Sequence, residues 1–270
     1  METQTGAAKM KWPNRQKSHN RKFTALSIAL AAVVAASAAP VAWAGPEIPF
    51  SEAQIFFELN DTDGDLGIHS SIDGEPWQML EIEDPSERVI LDVMPSGRLA
   101  KQGMTQLFFE SAEPSFDELP PAEFFKRFPA GRYEISGITL EGDEMESTAV
   151  LSHVLPAPPG NVRVSGIAAA INCDAALPAV RKPVVISWSA VTASHPTIGK
   201  AGPLQVSRYQ VFAELRTAPF HKFSLDLPPN VTRFTVPAEL ADRARDLKFE
   251  IQVRGVNGNQ TAIESCFTIR

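Results

Sequence analysis

Asn60, Asp61, Asp63 and Asp65 form the densest run of oxygen-bearing side chains in the chain. Alternate acids in a loop can wrap a hard cation such as Ca²⁺. The EF-hand spacing is not met, because Leu66 stands at the sixth position and Ile72 at the twelfth. The competing reading is a hairpin turn on Asp63-Gly64, where glycine supplies a positive φ and the carboxylates point outward and repel one another. The turn is preferred. Asp61, Asp63 and Asp65 stay as metal candidates, and Ca²⁺ is the one cofactor in view. His69, His153, His195 and His221 show no close ligand pair of the His-Glu-x-x-His kind. His69 and His153 are expected in strands and His195 in a loop, as solvated or internally bonded residues. No Gly-x-Ser-x-Gly and no phosphate-cradling glycine loop occurs, so no catalytic residue is assigned. Acids are too numerous for a glycosidase pair to be read from them. Trp77, Trp188, Tyr133 and Tyr209 read as core, which leaves little aromatic platform for a sugar.

The elements that position these residues fall into three parts. Residues 1–22 are basic, and Phe23 to Ala39 is an uncharged apolar run. Pro40 and Ala42-Trp43-Ala44 follow, an Ala-x-Ala exit ahead of Gly45. This is the plan of a secretory signal peptide over 1–44, and the mature chain is expected to begin at Gly45. The rival reading, an uncleaved anchor, is disfavoured by Pro40 and the small-residue exit. Nothing later in the chain is long and apolar enough to span a bilayer, so no membrane association is expected after cleavage.

The chain has 270 residues, is 44% hydrophobic and 21% charged, and carries a net charge of -7. The acidic balance excludes a general nucleic-acid binder. Charge is uneven: acids dominate from Gly45 to Pro159, and bases outnumber them from Gly160 to Arg270. The sign changes at Pro156-Ala157-Pro158-Pro159-Gly160, a stretch that favours a stiff, extended linker. The reading is an all-β protein, two tandem β-sandwich domains over 45–155 and 161–270, with a linker over 156–160.

In the first domain, strands are expected over Gln54–Leu59, Leu66–Ile72, Trp77–Glu83, Val89–Val93, Thr105–Glu110, Arg132–Leu140 and Thr148–Leu155. Turns are expected at Asp63-Gly64, Asp73-Gly74, Pro95-Ser96-Gly97 and Gly142-Asp143. One helix is expected, Pro120–Phe128, opened by proline and ended by Pro129, with Phe124, Phe125 and Phe128 on one face to cover an end of the sandwich.

In the second domain, Val184–Trp188, Arg208–Phe212, Leu227–Pro237 and Phe249–Asn257 read as strands. The order Ile-Ser-Trp, Tyr-x-Val, Thr-x-Phe-x-Val-Pro and Phe-x-Ile-x-Val-x-Gly-Val-Asn-Gly resembles a fibronectin type III domain, from about Pro159 to Arg270. The resemblance implies a seven-stranded sandwich with Trp188 between the sheets, and an extracellular spacer or binding role without catalysis. Phe249 departs from the pattern, standing where the family usually has a corner tyrosine. The stretch of about 20 residues from the first strand (Val162–Gly166) to Trp188 is longer than usual and reads as an insertion. Cys173 and Cys266 share this module in an exported protein, and a disulfide between edge elements is expected.

The function expected is an exported, non-catalytic interaction or spacer protein whose partner is an extracellular protein or a glycan. The alternatives are a carbohydrate-binding or carbohydrate-active protein, needing an exposed aromatic strip or convergent carboxylates, and a Ca²⁺-dependent adhesion protein.

Overall fold

The computed structural model describes residues 47–243 and 245–270; the export segment read over 1–44, and the cleavage expected ahead of Gly45, lie outside them. The described residues are mostly strand. Among them, no helix is long and apolar enough to cross a membrane.

Strand β1 (Glu52–Asn60) turns at Gly64 (φ +70°) and returns as β2 (Asp65–Glu83) in an antiparallel hairpin. Alternation decides its inner face, where Ile55, Phe57, Leu59, Leu66, Ile68 and Ile72 are buried. β2 is longer than expected. Asp73-Gly74 does not turn the chain; it lies inside the strand, before Trp77. Its glycine serves close approach instead. An added Cβ at Gly74 would meet Met145 Cε at 2.7 Å and Phe50 Cδ1 at 2.9 Å.

β3 (Val89–Val93), helix α1 (Gly97–Gln102), β4 (Met104–Glu110), helix α2 (Pro121–Arg127), β5 (Gly131–Thr139) and β6 (Glu144–Leu151) follow. α1 replaces the turn expected at Pro95-Ser96-Gly97. It buries no residue, so its six positions carry no apolar period that could announce it. α2 lies where its proline and phenylalanines placed it. Phe124 and Phe125 both meet the Phe57 ring edge-on. β2 pairs with β3, β4 and β5, and β5 with β6. The sheet then curls back: Ile48 bridges Met145 in parallel, donating N–H to Glu144 O and accepting from Glu146 N, each at 3.0 Å. Tyr133 is buried, and its hydroxyl donates to Pro129 O at 3.0 Å.

The second half holds β7 (Arg163–Val164), β8 (Ile167–Ala168), β9 (Ala179–Val180), β10 (Val185–Ser187), β11 (Val206–Leu215), β12 (Lys222–Leu227), β13 (Arg233–Thr235), helix α3 (Ala238–Ala241), β14 (Asp246–Gly255) and β15 (Gln260–Ile269). Strands β12-β11-β14-β15 make one sheet and β13-β10-β7-β8 the other. Trp188 sits inside with Tyr209, Phe234, Phe249 and Phe267, as the resemblance implied. The single strand expected over Leu227–Pro237 is two, on opposite sheets. Pro228-Pro229 cannot continue a hydrogen-bonded ladder, so the chain crosses over there. Phe249 is fully buried without a hydroxyl, and Tyr209 supplies one instead, accepting from Val191 N at 2.8 Å.

One sheet runs through both halves. β15 lies between β14 and β1, pairing with β1 in parallel from Glu58↔Gln260 to Asn60↔Ala262. Two apolar clusters flank this seam, one around Phe57, Trp77 and Tyr133 and one around Trp188, Tyr209 and Phe249. The proline-rich segment is extended and anchored at both ends. Leu155 is buried in the first cluster, Ala157 packs on the second, and Pro156 O accepts from Thr261 Oγ1 at 2.8 Å.

Candidate interaction surface

The seam is polar and closely bonded. Asn259, fully buried, accepts from Phe57 N at 2.9 Å and donates to Ser152 O at 2.7 Å and Val154 O at 3.0 Å. Asn257 Nδ2 donates to Val154 O and Ser152 Oγ, each at 2.8 Å. Each asparagine follows or precedes Gly258 in the β14–β15 turn, which aims their amides at the chain leaving β6. Sequence reasoning took Asn257 as part of a family motif and missed Asn259. A buried amide bonded on both its oxygen and its nitrogen announces itself only when its partners, about 100 and 200 residues away, are known.

Opposite the apolar interior, the long sheet presents a polar face built by the same alternation. Antiparallel register places Gln260 beside Arg254 and Arg254 beside Arg208; it also places Ala262 beside Gln252 and Gln252 beside Gln210. On the first half, His69 stands opposite Phe56 and Glu110. Glu58 is the centre. Its carboxylate accepts from Gln252 Nε2 at 2.8 Å and from Gln260 Nε2. Burial raises its pKa, partly offset by His69 and the Gln260 bond. Glu250 lies further along and is pushed up to about 8, by burial first and then by Glu58 and Glu264. Arg254 lies over the Phe56 ring at 4.3 Å, Phe56 stacks on His69 at 5.4 Å, and Phe108 meets His69 edge-on at 6.2 Å. This cation–ring stack crosses the seam. A groove of about 360 Å³ lies over it, lined by Glu58, Phe108, Arg208, Gln252 and their neighbours.

Three of the four singled-out histidines are internally bonded, and His221 is exposed. His69 Nε2 is 3.0 Å from Glu113 Oε1, with Nδ1 3.9 Å from Glu58 Oε2. His153, which lies just past β6 rather than in a strand, bonds Phe128 O at 3.0 Å and stacks on Phe125. His195 Nδ1 accepts from Ile198 N at 2.9 Å, which leaves Nε2–H to donate to Asp61 Oδ1 at 3.0 Å, a second tie between the halves.

The three aspartates part company. Asp61 turns to His195, and Asp63 accepts from Asn60 Nδ2 at 3.2 Å. Asn60 Oδ1 in turn accepts from Thr62 N and Asp63 N, which shapes the turn. Asp65 stays on the polar face opposite Asn60, yet it is partly covered there. Its Oδ1 is buried without a hydrogen-bond partner, and burial, followed by Glu113 and Asp63, raises its pKa to about 6. Among the described residues, no group of three or more His, Cys, Asp or Glu side chains is placed to hold a metal ion.

Cys173 and Cys266 are joined by a disulfide. Cys266 is not on an edge, as the sequence reading had it: it is buried in β15, the strand bordering the first half. Trp77 and Trp188 are both core residues.

No family model matches the chain, and no curated protein matches it. Among solved structures, a tetra-tandem repeat in the extending region of a large adhesion protein is similar at 10% identity and a TM-score of 0.26, over 81% of this chain and 50% of that one. The FN1–FN3 domains of chicken CNTN1 are similar at 12% identity and a TM-score of 0.27, over 83% of this chain and 69% of that one. The chain thus spans about half the length of the first. Likeness at this level carries neither partner nor activity across.

Proposed function

We propose that the protein is an exported, non-catalytic interaction module that meets an extracellular protein through the outer face of its long sheet. The observation that carries this reading is the continuity of that face across the seam: Glu58, Gln260, Arg254 and Arg208 stand side by side on four strands drawn from both halves. A surface assembled that way is rigid, so it meets a partner with little ordering cost. The Cys173–Cys266 bond supports an oxidising compartment.

A glycan is the second reading, favoured by Phe108, which is 60% exposed beside the carboxylates of Glu58 and Glu110 in the 360 Å³ groove. A photo-crosslinking residue placed at Phe108 in the exported protein of the native cell tests the first reading. Discrete protein adducts support it. A glycan-array signal lost on Phe108→Ala, with no protein adduct, moves the assignment to the glycan. Turnover of a substrate that depends on Glu58 or Glu250 overturns both.

A further inference from the structure

The first half of β2 has a strand on each side, and the two neighbours end differently. β1 pairs with it from Glu52 to Asn60 and is itself joined by β15. β4 pairs with it on the other side, and among the described residues no strand lies beyond β4.

Alternation decides which backbone groups of β4 are spent. Ile68 faces β4, since its C=O accepts from Ser111 N and its N–H donates to Ser111 Oγ, each at 3.0 Å. Ser70 and Ile72 face the same way, so their partners Phe109 and Leu107 bond back to β2. Gln106, Phe108 and Glu110 therefore turn N–H and C=O to the open edge. All three are exposed. Leu107 and Phe109, which pack on the first core, are only half-buried there.

Sheet edges are commonly blunted by brevity, proline, lysine or a bulge, because a row of unpaired backbone groups is a template for another strand. The other edges here are blunted. β8 and β13 have two and three residues, and β3 shifts register against β2. β12 opens with Lys222 and runs into Pro228-Pro229, and β6 is bridged by Ile48. β4 has seven residues, no proline or lysine, and one charge, Glu110.

This edge matches itself. An antiparallel copy related by a two-fold axis at Phe108 sets Phe108 against Phe108 and Gln106 against Glu110 on the outer face. On the inner face it sets Leu107 against Phe109. Rings meet, each amide meets a carboxylate, apolar groups meet apolar groups, and no two carboxylates stand opposite. Every outward N–H and C=O of Gln106, Phe108 and Glu110 finds a partner in that register.

We propose that a second copy of this chain docks on β4 as an antiparallel neighbour about that axis, joining two long sheets edge to edge. The proposal goes beyond the reading of the outer face as an interaction surface: it concerns the strand's edge and holds whether or not that face has a partner.

The test is sedimentation of the mature protein over a concentration series, with amide exchange read at both ends of it. A monomer–dimer equilibrium is expected. Exchange at Gln106, Phe108 and Glu110 should slow about tenfold in the dimer, and Leu107 and Phe109 should not change. Cysteines fix the register, since the described chain has no free thiol of its own. Gln106→Cys and Glu110→Cys should form a disulfide dimer when mixed and none when either is alone. The axis brings 106 opposite 110 and keeps each about 14 Å from its own equivalent, beyond disulfide reach. Gln106→Glu sets carboxylates opposite each other and should weaken the dimer about tenfold, whereas Gln106→Lys should not weaken it. Gln106 is exposed, so both variants should fold. A monomer up to about 1 mM, a dimer with the three amides unprotected, disulfides formed equally by either cysteine variant alone, or a dimer that Gln106→Glu leaves intact each overturns the proposal. Adducts of a Phe108 probe with a different protein would still stand in that event, so the two failures are distinguishable.

Discussion

The two halves of the molecule have matched interiors and different locks. Each buries one tryptophan, Trp77 or Trp188, and one tyrosine, Tyr133 or Tyr209, whose hydroxyl ties down a loop. The second half is closed by two facing sheets and a disulfide. The first has no cysteine; it is closed by a curled sheet, the phenylalanines of α2 and the Ile48–Met145 bridge. The lock of one half is also a neighbour of the other, because Cys266 lies on β15, which pairs with β1. Two apolar cores of ordinary domain size thus share one sheet, and their independence is decided at a polar seam.

Reducing the disulfide is expected to have the largest effect. The closed loop spans 93 residues, and the chain-entropy model assigns a loop of that length about 4–5 kcal/mol. Calorimetry with and without reductant should show both halves losing stability together, since β15 serves both. Two transitions, with the first half unmoved, would break the shared-sheet account. Thiol counting on denatured, unreduced protein should find no free thiol.

Asn259→Ala attacks the seam alone. It strips a partner from the buried Phe57 N, at about 1–3 kcal/mol for a buried group left unpaired, and from the half-buried Ser152 O. Limited proteolysis of this variant should cut near residues 156–160 and release two resistant fragments. The parent protein should resist there, because Leu155, Pro156 and Ala157 are held. Equal cleavage of both would show that the linker prolines, and not the seam, set domain independence.

Glu250 gives the comparison a pH dependence. Its pKa is raised to about 8, so the folded protein holds a proton that the unfolded chain releases near 4.5. Between those values the fold binds more protons, and stability therefore falls as pH rises, levelling off above about 8. Glu58, also raised, acts in the same direction. The loss is on the order of a few kcal/mol. Urea denaturation at pH 5 and pH 9 should show it, and Glu250→Gln should flatten most of it. A stability that rises over this range would refute the buried carboxylate.

Tyr133→Phe removes one hydroxyl bond to Pro129 O, at about 1 kcal/mol. A drop of a few degrees in melting temperature is expected, with α2 still formed. The smallest effect concerns the aspartate turn. We expect millimolar Ca²⁺ to leave the melting temperature where ionic-strength-matched Na⁺ leaves it, because Asp61 and Asp63 are spent on His195 and Asn60. A Ca²⁺-specific rise that Asp63→Ala abolishes would restore the adhesion alternative.

Strand content, the Asp63-Gly64 hairpin, helix α2, the buried tryptophans and the two-sheet second half were legible in the amino-acid order. The two-sheet arrangement was implied by the resemblance; each of the others is written in a local period, a turn residue or a capping proline, and neighbours along the chain suffice to decide it. Asp73-Gly74 carries the same letters as a turn and forms none, because Phe50 and Met145 need the space above Gly74. α1 left no trace because nothing in it is buried. The partner of Cys173 was reachable by elimination, whereas the central place of Cys266 was not. The seam and the carboxylate centre at Glu58 were decided by tertiary structure alone. They depend on which strand lies beside which, and β1 meets β15 across about 200 residues of sequence. Local propensity carries no information at that distance. The register of a parallel pair is set by what the two cores bury on either side of it.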